Sequence, residues 1–161
     1  MQRTELIDYV DTDDRIVRRG PRGQSGVAGL HYRVAATIVL AAPRHVLVYR
    51  RPATATVFAG HHDVLIGGSV RAGETYRQAA RRELAEEFGL HAEPVERLRL
   101  TRSSPVGPCH LAVHTADLVP PLLPNPAEIA HHALWPVTGF LAAPPHPVVP
   151  VGLAVLRRLL G

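Results

Sequence analysis

Apolar residues Leu6, Ile7, Tyr9 and Val10 precede the polar run Asp11-Thr12-Asp13-Asp14, and Ile16-Val17 follow. This pattern predicts a strand, a polar turn and a strand, a hairpin over residues 5–18. The aspartates suit turn chemistry. Gly20 to Gly29 is rich in Gly, Pro and Ser and reads as a mobile loop. Leu30 to Ala42 and His45 to Arg51 are β-rich runs around Ala42-Pro43-Arg44, which predicts a second hairpin with buried strands. After a loop from Pro52 to His62, Asp63 to Ile66 reads as one short strand. Val95 to Leu100 and Cys109 to Leu118 read as two more, linked by a loop through residues 103–108. Four prolines between Val119 and Pro126 exclude regular structure there. Leu134-Trp135-Pro136 is a short strand, and Pro144 to Pro150 a proline-rich turn. Val151, Ala154, Val155, Leu159 and Leu160 carry helical periodicity, with Arg157 and Arg158 where the helix dipole favours cations. Strands, an intervening helix and a terminal helix over 151–160 predict an α/β or α+β sandwich. No repeat or boundary divides residues 1–161, so a single domain is expected.

The intervening helix dominates the chemistry. Residues 68–90 read GSVRAGETYRQAARRELAEEFGL. At about 100° per residue, Glu83, Glu86 and Glu87 fall within roughly 100° of one another, and Leu84 and Phe88 on a neighbouring face suited to burial. Thr75 with Gln78 is a capping-box pattern, and Gly89 sits where a left-handed residue would end the helix. Like charges at these spacings destabilise a bare helix by about 0.2–0.5 kcal/mol per pair. A hard divalent cation with oxygen ligands removes that repulsion, and solvent exposure is the simpler alternative.

Gly68, Glu74, Arg82, Glu83, Leu84, Glu86, Glu87, Gly89 and Leu90 match every fixed position of the Nudix box, G-x5-E-x7-R-E-U-x-E-E-x-G-U, where U is aliphatic. The chain thus resembles the Nudix hydrolases. The resemblance implies an α/β/α sandwich around a mixed sheet and a loop–helix–loop that binds Mg²⁺ or Mn²⁺ and hydrolyses a diphosphate linkage. It implies Glu83, Glu86 and Glu87 as metal carboxylates, the Gly68 carbonyl as a further ligand, Glu74 as another acidic member and Arg82 as the residue orienting the cluster. Glu83 or Glu128 would take a proton from the attacking water. Arg50 and Arg51, at a strand end, and Arg99 and Arg102, near the 103–108 loop, are candidate substrate contacts, with strand-end solvation as the alternative for the first two. The expected substrate is a small-molecule diphosphate, such as a nucleoside diphosphate linked to another moiety. A nucleotide sensor without turnover is the alternative from another class.

A looser likeness reaches the isopentenyl diphosphate isomerase-like branch, through the N-terminal hairpin, Leu30-His31-Tyr32-Arg33 and the Arg50-Arg51 end. His31 matches a metal-binding histidine of the isomerases, although a histidine on an apolar strand is more often structural. Gly67 stands where isomerases carry cysteine, and the full Arg82-Glu83-x-x-Glu86-Glu87 set is hydrolytic. Hydrolysis is therefore the expected reaction.

Composition narrows the picture further. The 161 residues are 46% hydrophobic and 20% charged, enough for a buried core. No apolar run approaches the roughly 20 residues of a membrane span, and the N-terminus lacks the apolar core of a signal peptide. The single cysteine, Cys109, reads as a core residue and fits a reducing compartment, so the cytoplasm is the expected location. The net charge of +4 comes from a chain in which every basic side chain but histidine is arginine. No compact basic run or aromatic-interleaved stretch points to nucleic acid, and arginine also pairs bidentately with phosphate. The oligomeric state stays open, with a homodimer among the options.

Overall fold

The computed structural model describes residues 4–24 and 29–161. Residues 25–28 of the expected Gly20–Gly29 loop lie outside the described residues. Strands β1 (Leu6–Val10) and β2 (Ile16–Pro21) form the expected hairpin as a separate two-stranded sheet. Asp11 Oδ1 accepts the amides of Asp13 and Arg15, both at 2.9 Å, so this aspartate serves the turn.

The main sheet is mixed. Strand β3 (Tyr32–Ala41) lies parallel to β8 (Gly107–Asp117), which pairs antiparallel with β7 (Val95–Ser104). The β3–β4 hairpin, with β4 at His45–Arg50, is paired only at Leu40–Val46 and Ala41–His45. Beyond that point the sheet forks. β3 takes β6 (Ile66–Ser69) as its neighbour, whereas β4 lies between β5 (His62–Asp63) and β9 (His131–Pro136). The expected single strand from Asp63 to Ile66 is thus two strands on opposite arms of the fork, and Val64-Leu65 bridges them. The expected 103–108 loop is shorter as well: β7 and β8 run to Ser104 and Gly107, leaving a two-residue turn.

Helices cover both faces. On β4, alternate side chains separate: Leu47 and Tyr49 pack with Leu84 and Phe88 of α1 (Tyr76–Phe88), while Val46 and Val48 pack with Phe140 of α2 (Val137–Ala142) and Val155 and Leu156 of α3 (Pro150–Leu160). The architecture is the expected α/β/α sandwich. The sequence gives no sign of α2, whose six residues are too few to establish a helical period. Among the described residues no helix is long and apolar enough to cross a membrane.

Local signals and burial together set α1. Gln78 N donates to Thr75 Oγ1 at 3.1 Å and Thr75 N to Gln78 Oε1 at 2.9 Å, closing the capping box. Gly89 ends the helix at φ 60°. A cap contributes about 1 kcal/mol, whereas fully buried Leu84 and Phe88 contribute about 1.5–3 kcal/mol each. Packing therefore fixes which face of the helix the glutamates occupy.

Candidate active site

The box begins where β6 lies against β3. Gly67 pairs with Ala36 and Gly68 with Ala35. A Cβ at Gly67 would overlap the Ala35 carbonyl oxygen, so only glycine fits this row. The position that carries cysteine in isomerases cannot hold a side chain here without moving β3. At Gly68 a Cβ would stand 2.6 Å from Glu83 Oε1, so the missing side chain lets the helix carboxylate approach the strand backbone.

Arg82 gathers the acidic cluster. Its Nε and Nη2 donate to the two Glu74 oxygens at 2.7 and 3.1 Å, a bidentate pair. Its Nη1 donates to Glu83 Oε1 at 2.7 Å and Glu86 Oε2 at 3.2 Å, and Nη2 also reaches the Ser69 carbonyl at 3.0 Å. Burial opposes the charges on Glu74 and Arg82, but their mutual bond prevails: the Glu74 carboxyl lies below its usual range and Arg82 above its own. Glu83 is different. Burial raises it, and Arg82 only partly offsets that. Glu86 is exposed and also meets Arg71 at 3.4 Å.

Glu87 has no such partner. Its side chain is buried, and Oε2 has no hydrogen-bond partner among the described residues. Burial, then the charges of Glu83 and Glu128, push its carboxyl well above the ordinary value, and Arg51 opposes the shift. Glu128 reaches this neighbourhood because its loop is tied to the end of α1. Leu123 N donates to the Phe88 carbonyl and Asn125 N to the Glu87 carbonyl, both at 2.8 Å, and Glu128 N to the Asn125 carbonyl at 3.0 Å. The Glu128 side chain is exposed and makes no ion pair among the described residues.

A cleft of about 220 Å³ opens beside the box on the α3 face of the sheet. Gly67, Gly68, Asp63 and Arg51 line it at the fork, and Tyr32, Arg22, Arg102 and Ser104 also contribute. Asp63 sits at the fork itself. Its Oδ1 accepts the amides of Val64 and Leu65 at 2.7 and 3.1 Å, the two residues that bridge the arms. Tyr49 OH donates to the Leu65 carbonyl at 2.6 Å and lies 3.5 Å from Asp63 Oδ2. Burial raises the Asp63 carboxyl to about 6 despite the two amides, which lower it.

The candidate substrate arginines separate. Arg51 lines the cleft, with Nε on the Val57 carbonyl at 2.9 Å. Exposed Arg50 donates to the Gly60 carbonyl at 3.2 Å and does not line it. Arg99 is not brought to the cleft: it lies 4.2 Å over the Tyr76 ring and pairs with Glu96 and Asp14 on the α1 face. Strand alternation is the reason, since Leu98 and Leu100 take the other face. His31 stacks on His110 with ring centroids 5.0 Å apart and bonds the Gly29 carbonyl, so it is not gathered with the box glutamates. Cys109 is buried, as expected, at the cleft wall. Arg102, a candidate phosphate contact from its place beside the 103–108 loop, lines the cleft; Asp63 and Arg22 carry no local sequence signal, and tertiary pairing alone brings them there.

Among the described residues no three His, Cys, Asp or Glu side chains form a preassembled metal cage. The donor set nevertheless fits a hard cation. The unpartnered Glu87 Oε2 is a buried carboxyl oxygen, and Glu83 lies against the Gly68 backbone.

A NUDIX domain family model matches residues 31–149. The chain is 31% identical to the uncharacterized Nudix hydrolase orf19 of Rhodococcus erythropolis, over 94% of this chain and 90% of that protein. It is 40% identical to the uncharacterized Nudix hydrolase SCO1686 of Streptomyces coelicolor over 56% of its length, a match that spans 50% of that relative. In fold it is similar to DR0079 of Deinococcus radiodurans, with a TM-score of 0.80 at 23% identity over 98% of this chain and 100% of that one. It is also similar to the NUDIX domain of Shewanella oneidensis NrtR, solved with ADP ribose, with a TM-score of 0.66 at 17% identity over 80% of this chain and 85% of that one. With the family model covering most of the chain and a relative matching nearly end to end, the chain belongs to the Nudix hydrolase family.

Proposed function

We propose that this chain acts in the cytoplasm as a single catalytic domain that hydrolyses a diphosphate linkage, in a nucleoside diphosphate joined to another moiety or a similar small phosphorylated compound. One observation carries the reading: the buried, unpartnered Glu87 carboxylate oxygen beside Glu83. An isolated buried carboxylate is costly, and a cation arriving with the substrate relieves that cost.

Glu83, Glu86, Glu87 and the Gly68 carbonyl are the groups that would hold Mg²⁺ or Mn²⁺. When bound, the ion would neutralise the diphosphate, polarise a phosphorus–oxygen bond and lower the pKa of water. Arg82 keeps Glu83 and Glu86 oriented through its paired bonds. Arg51 stands in the cleft where a guanidinium can meet charge developing on the leaving phosphate. Glu128 is the better placed proton acceptor, since it is exposed and makes no ion pair among the described residues, whereas Glu83 is engaged by Arg82.

The test is a Mg²⁺-dependent phosphate-release screen across nucleoside diphosphate sugars, dinucleoside polyphosphates, nucleoside triphosphates and dinucleotides. Turnover that requires Mg²⁺ or Mn²⁺ is expected. Tight binding without turnover of any member would instead identify a sensor. Isomerisation of isopentenyl diphosphate is not expected, and conversion to dimethylallyl diphosphate by the pure protein would overturn that. Gly67→Cys should destabilise the fold without creating an isomerase, because its Cβ meets the β3 backbone.

A further inference from the structure

The cleft has two ends of different chemistry, and the register of the sheet separates them. Gly67 and Gly68 lie in the rows of Ala36 and Ala35 on β3. Arg102 pairs with Cys109, which pairs with Tyr32, so Arg102 lies in the Tyr32 row. Three to four residues along β3 span about 10–13 Å. Arg102 also stands on β7, beyond β8, so the ends are offset across the sheet too. The wall between them is apolar, formed by Val34, Ala36, Leu65, Leu111 and Val151.

The far end carries two guanidiniums against one carboxylate, Glu5, among the described residues. Arg102 follows Leu98 and Leu100 on the cleft face of β7. Its Nε donates to the Ser103 carbonyl at 3.1 Å, and it makes no ion pair among the described residues. Arg22 makes one ion pair, 3.4 Å from Glu5 Oε2, while the other Glu5 oxygen is taken by Arg71 at 2.9 Å. The Tyr32 and Ser104 hydroxyls are hydrogen-bonded at 2.7 Å at the same end. Among the described residues Asp63 is the one carboxylate lining the cleft, and it is at the fork. Two guanidiniums beside hydroxyls match a phosphate monoester better than a neutral sugar or base.

We propose that Arg22 and Arg102 form a second anion subsite, so that the preferred diphosphates carry an additional phosphate monoester on the side away from the scissile linkage. The apolar wall holds the body of the molecule, and the arginines select its far end. This inference rests on the diphosphate-hydrolase reading for the placement of the scissile group.

The probes are two pairs of diphosphates that differ by one phosphate monoester: NADPH with NADH, and coenzyme A with 3′-dephospho-coenzyme A. Affinity is measured without divalent metal, and kcat and KM with Mg²⁺. The phosphorylated member of at least one pair should bind about tenfold more tightly. Arg102→Gln and Arg22→Gln should each erase most of that preference by weakening the phosphorylated member alone. Turnover of the unphosphorylated member should fall much less than that of the phosphorylated one. Arg158→Gln, on the exposed side of α3, should leave the preference intact. Equal affinities within both pairs, a preference that survives the double substitution, or no binding of any probe would overturn the subsite. A binding preference without any turnover would keep the subsite and remove the hydrolase reading, whereas turnover without preference would remove the subsite alone.

Discussion

Glu74, Glu83 and Glu86 share the guanidinium of Arg82, whereas Glu87, on the same helix, buries a carboxylate oxygen that no donor meets. The two halves of one acidic cluster thus dispose of charge in opposite ways. In the Arg82 half one guanidinium holds three carboxylates and offsets part of their charge, with Arg71 also on Glu86. The Glu87 half is left as a deficit that only a bound cation or a proton can fill. A buried ion pair costs most when one partner is removed, because the remaining charge is stranded. Glu87 is in that stranded state already. The first half should answer to mutation mainly in stability, and the second mainly in turnover.

Removing the shared cation is the strongest way to break this contrast. Arg82→Ala leaves the Glu74 and Glu83 carboxylates, both largely buried, without their partner. The metal-free protein should lose about 3 kcal/mol, the lower end for breaking a buried pair. Chemical denaturation measures it. A loss under about 1 kcal/mol would mean the cluster is solvated and the comparison fails.

Glu87→Gln tests the other half. The amide keeps the volume and removes the charge, so the metal-free fold should be as stable as the parent or more so. Metal affinity should fall, and kcat by two decades or more, roughly 2.7 kcal/mol at 1.36 kcal/mol per decade. Arg77→Gln on the same helix, where the side chain is exposed and pairs with Glu93, should change turnover little. Near-normal kcat and metal dependence in Glu87→Gln would reduce the acidic face to surface.

The part of this contrast visible in the sequence is the part encoded locally. Thr75, Gln78 and Gly89 mark the ends of α1, and the spacing of the glutamates places them on one face, because both depend on neighbours within a turn or two. The sequence does not reveal that Glu87 is orphaned while Glu83 is paired. That depends on the 123–128 loop docking on the end of α1 and on burial against the sheet. The same limit explains the split of the expected Asp63–Ile66 strand. Its two halves pair with different partners, and hydrophobic pattern says nothing about which strand lies alongside. Arg99 lies off the cleft for a smaller reason, since the face that it takes depends on the register of β7.

Titration should separate the halves by sign. Glu74 is lowered in the fold, so its stabilisation is present above about 4.5, its usual value, and is lost as pH falls through the lowered value. Glu87 is raised, so its contribution is present below about 4.5 and is lost as pH rises through the raised value. In metal-free thermal melts, Arg82→Ala should flatten the acid limb and Glu87→Gln the neutral limb. Mg²⁺ should flatten the neutral limb of the parent protein. The same profile in all three proteins would sink the assignment.

Asp63 gives the finest test, because it combines features of both halves. Like Glu87 it is buried and raised, to about 6, and like Glu74 it is supplied with donors. Its stabilising contribution is therefore present below about 3.8 and is lost as pH rises through about 6. Asp63→Asn keeps an oxygen for the Val64 and Leu65 amides and points an N–H₂ group toward the Tyr49 oxygen, which can accept from it. The neutral amide thus reproduces what the protonated acid does, without the cost of burying a charge. At pH 7 the variant should be slightly more stable, by about 1 kcal/mol, and at pH 4 about equal to the parent. Asp63→Ala should instead be destabilised at both, because it strands two amides at the fork. If donors rather than depth decide which buried carboxylate needs a cation, Asp63→Asn should also keep its Mg²⁺ affinity, where Glu87→Gln loses it. Equal loss of Mg²⁺ affinity in the two variants would show that burial alone sets the site.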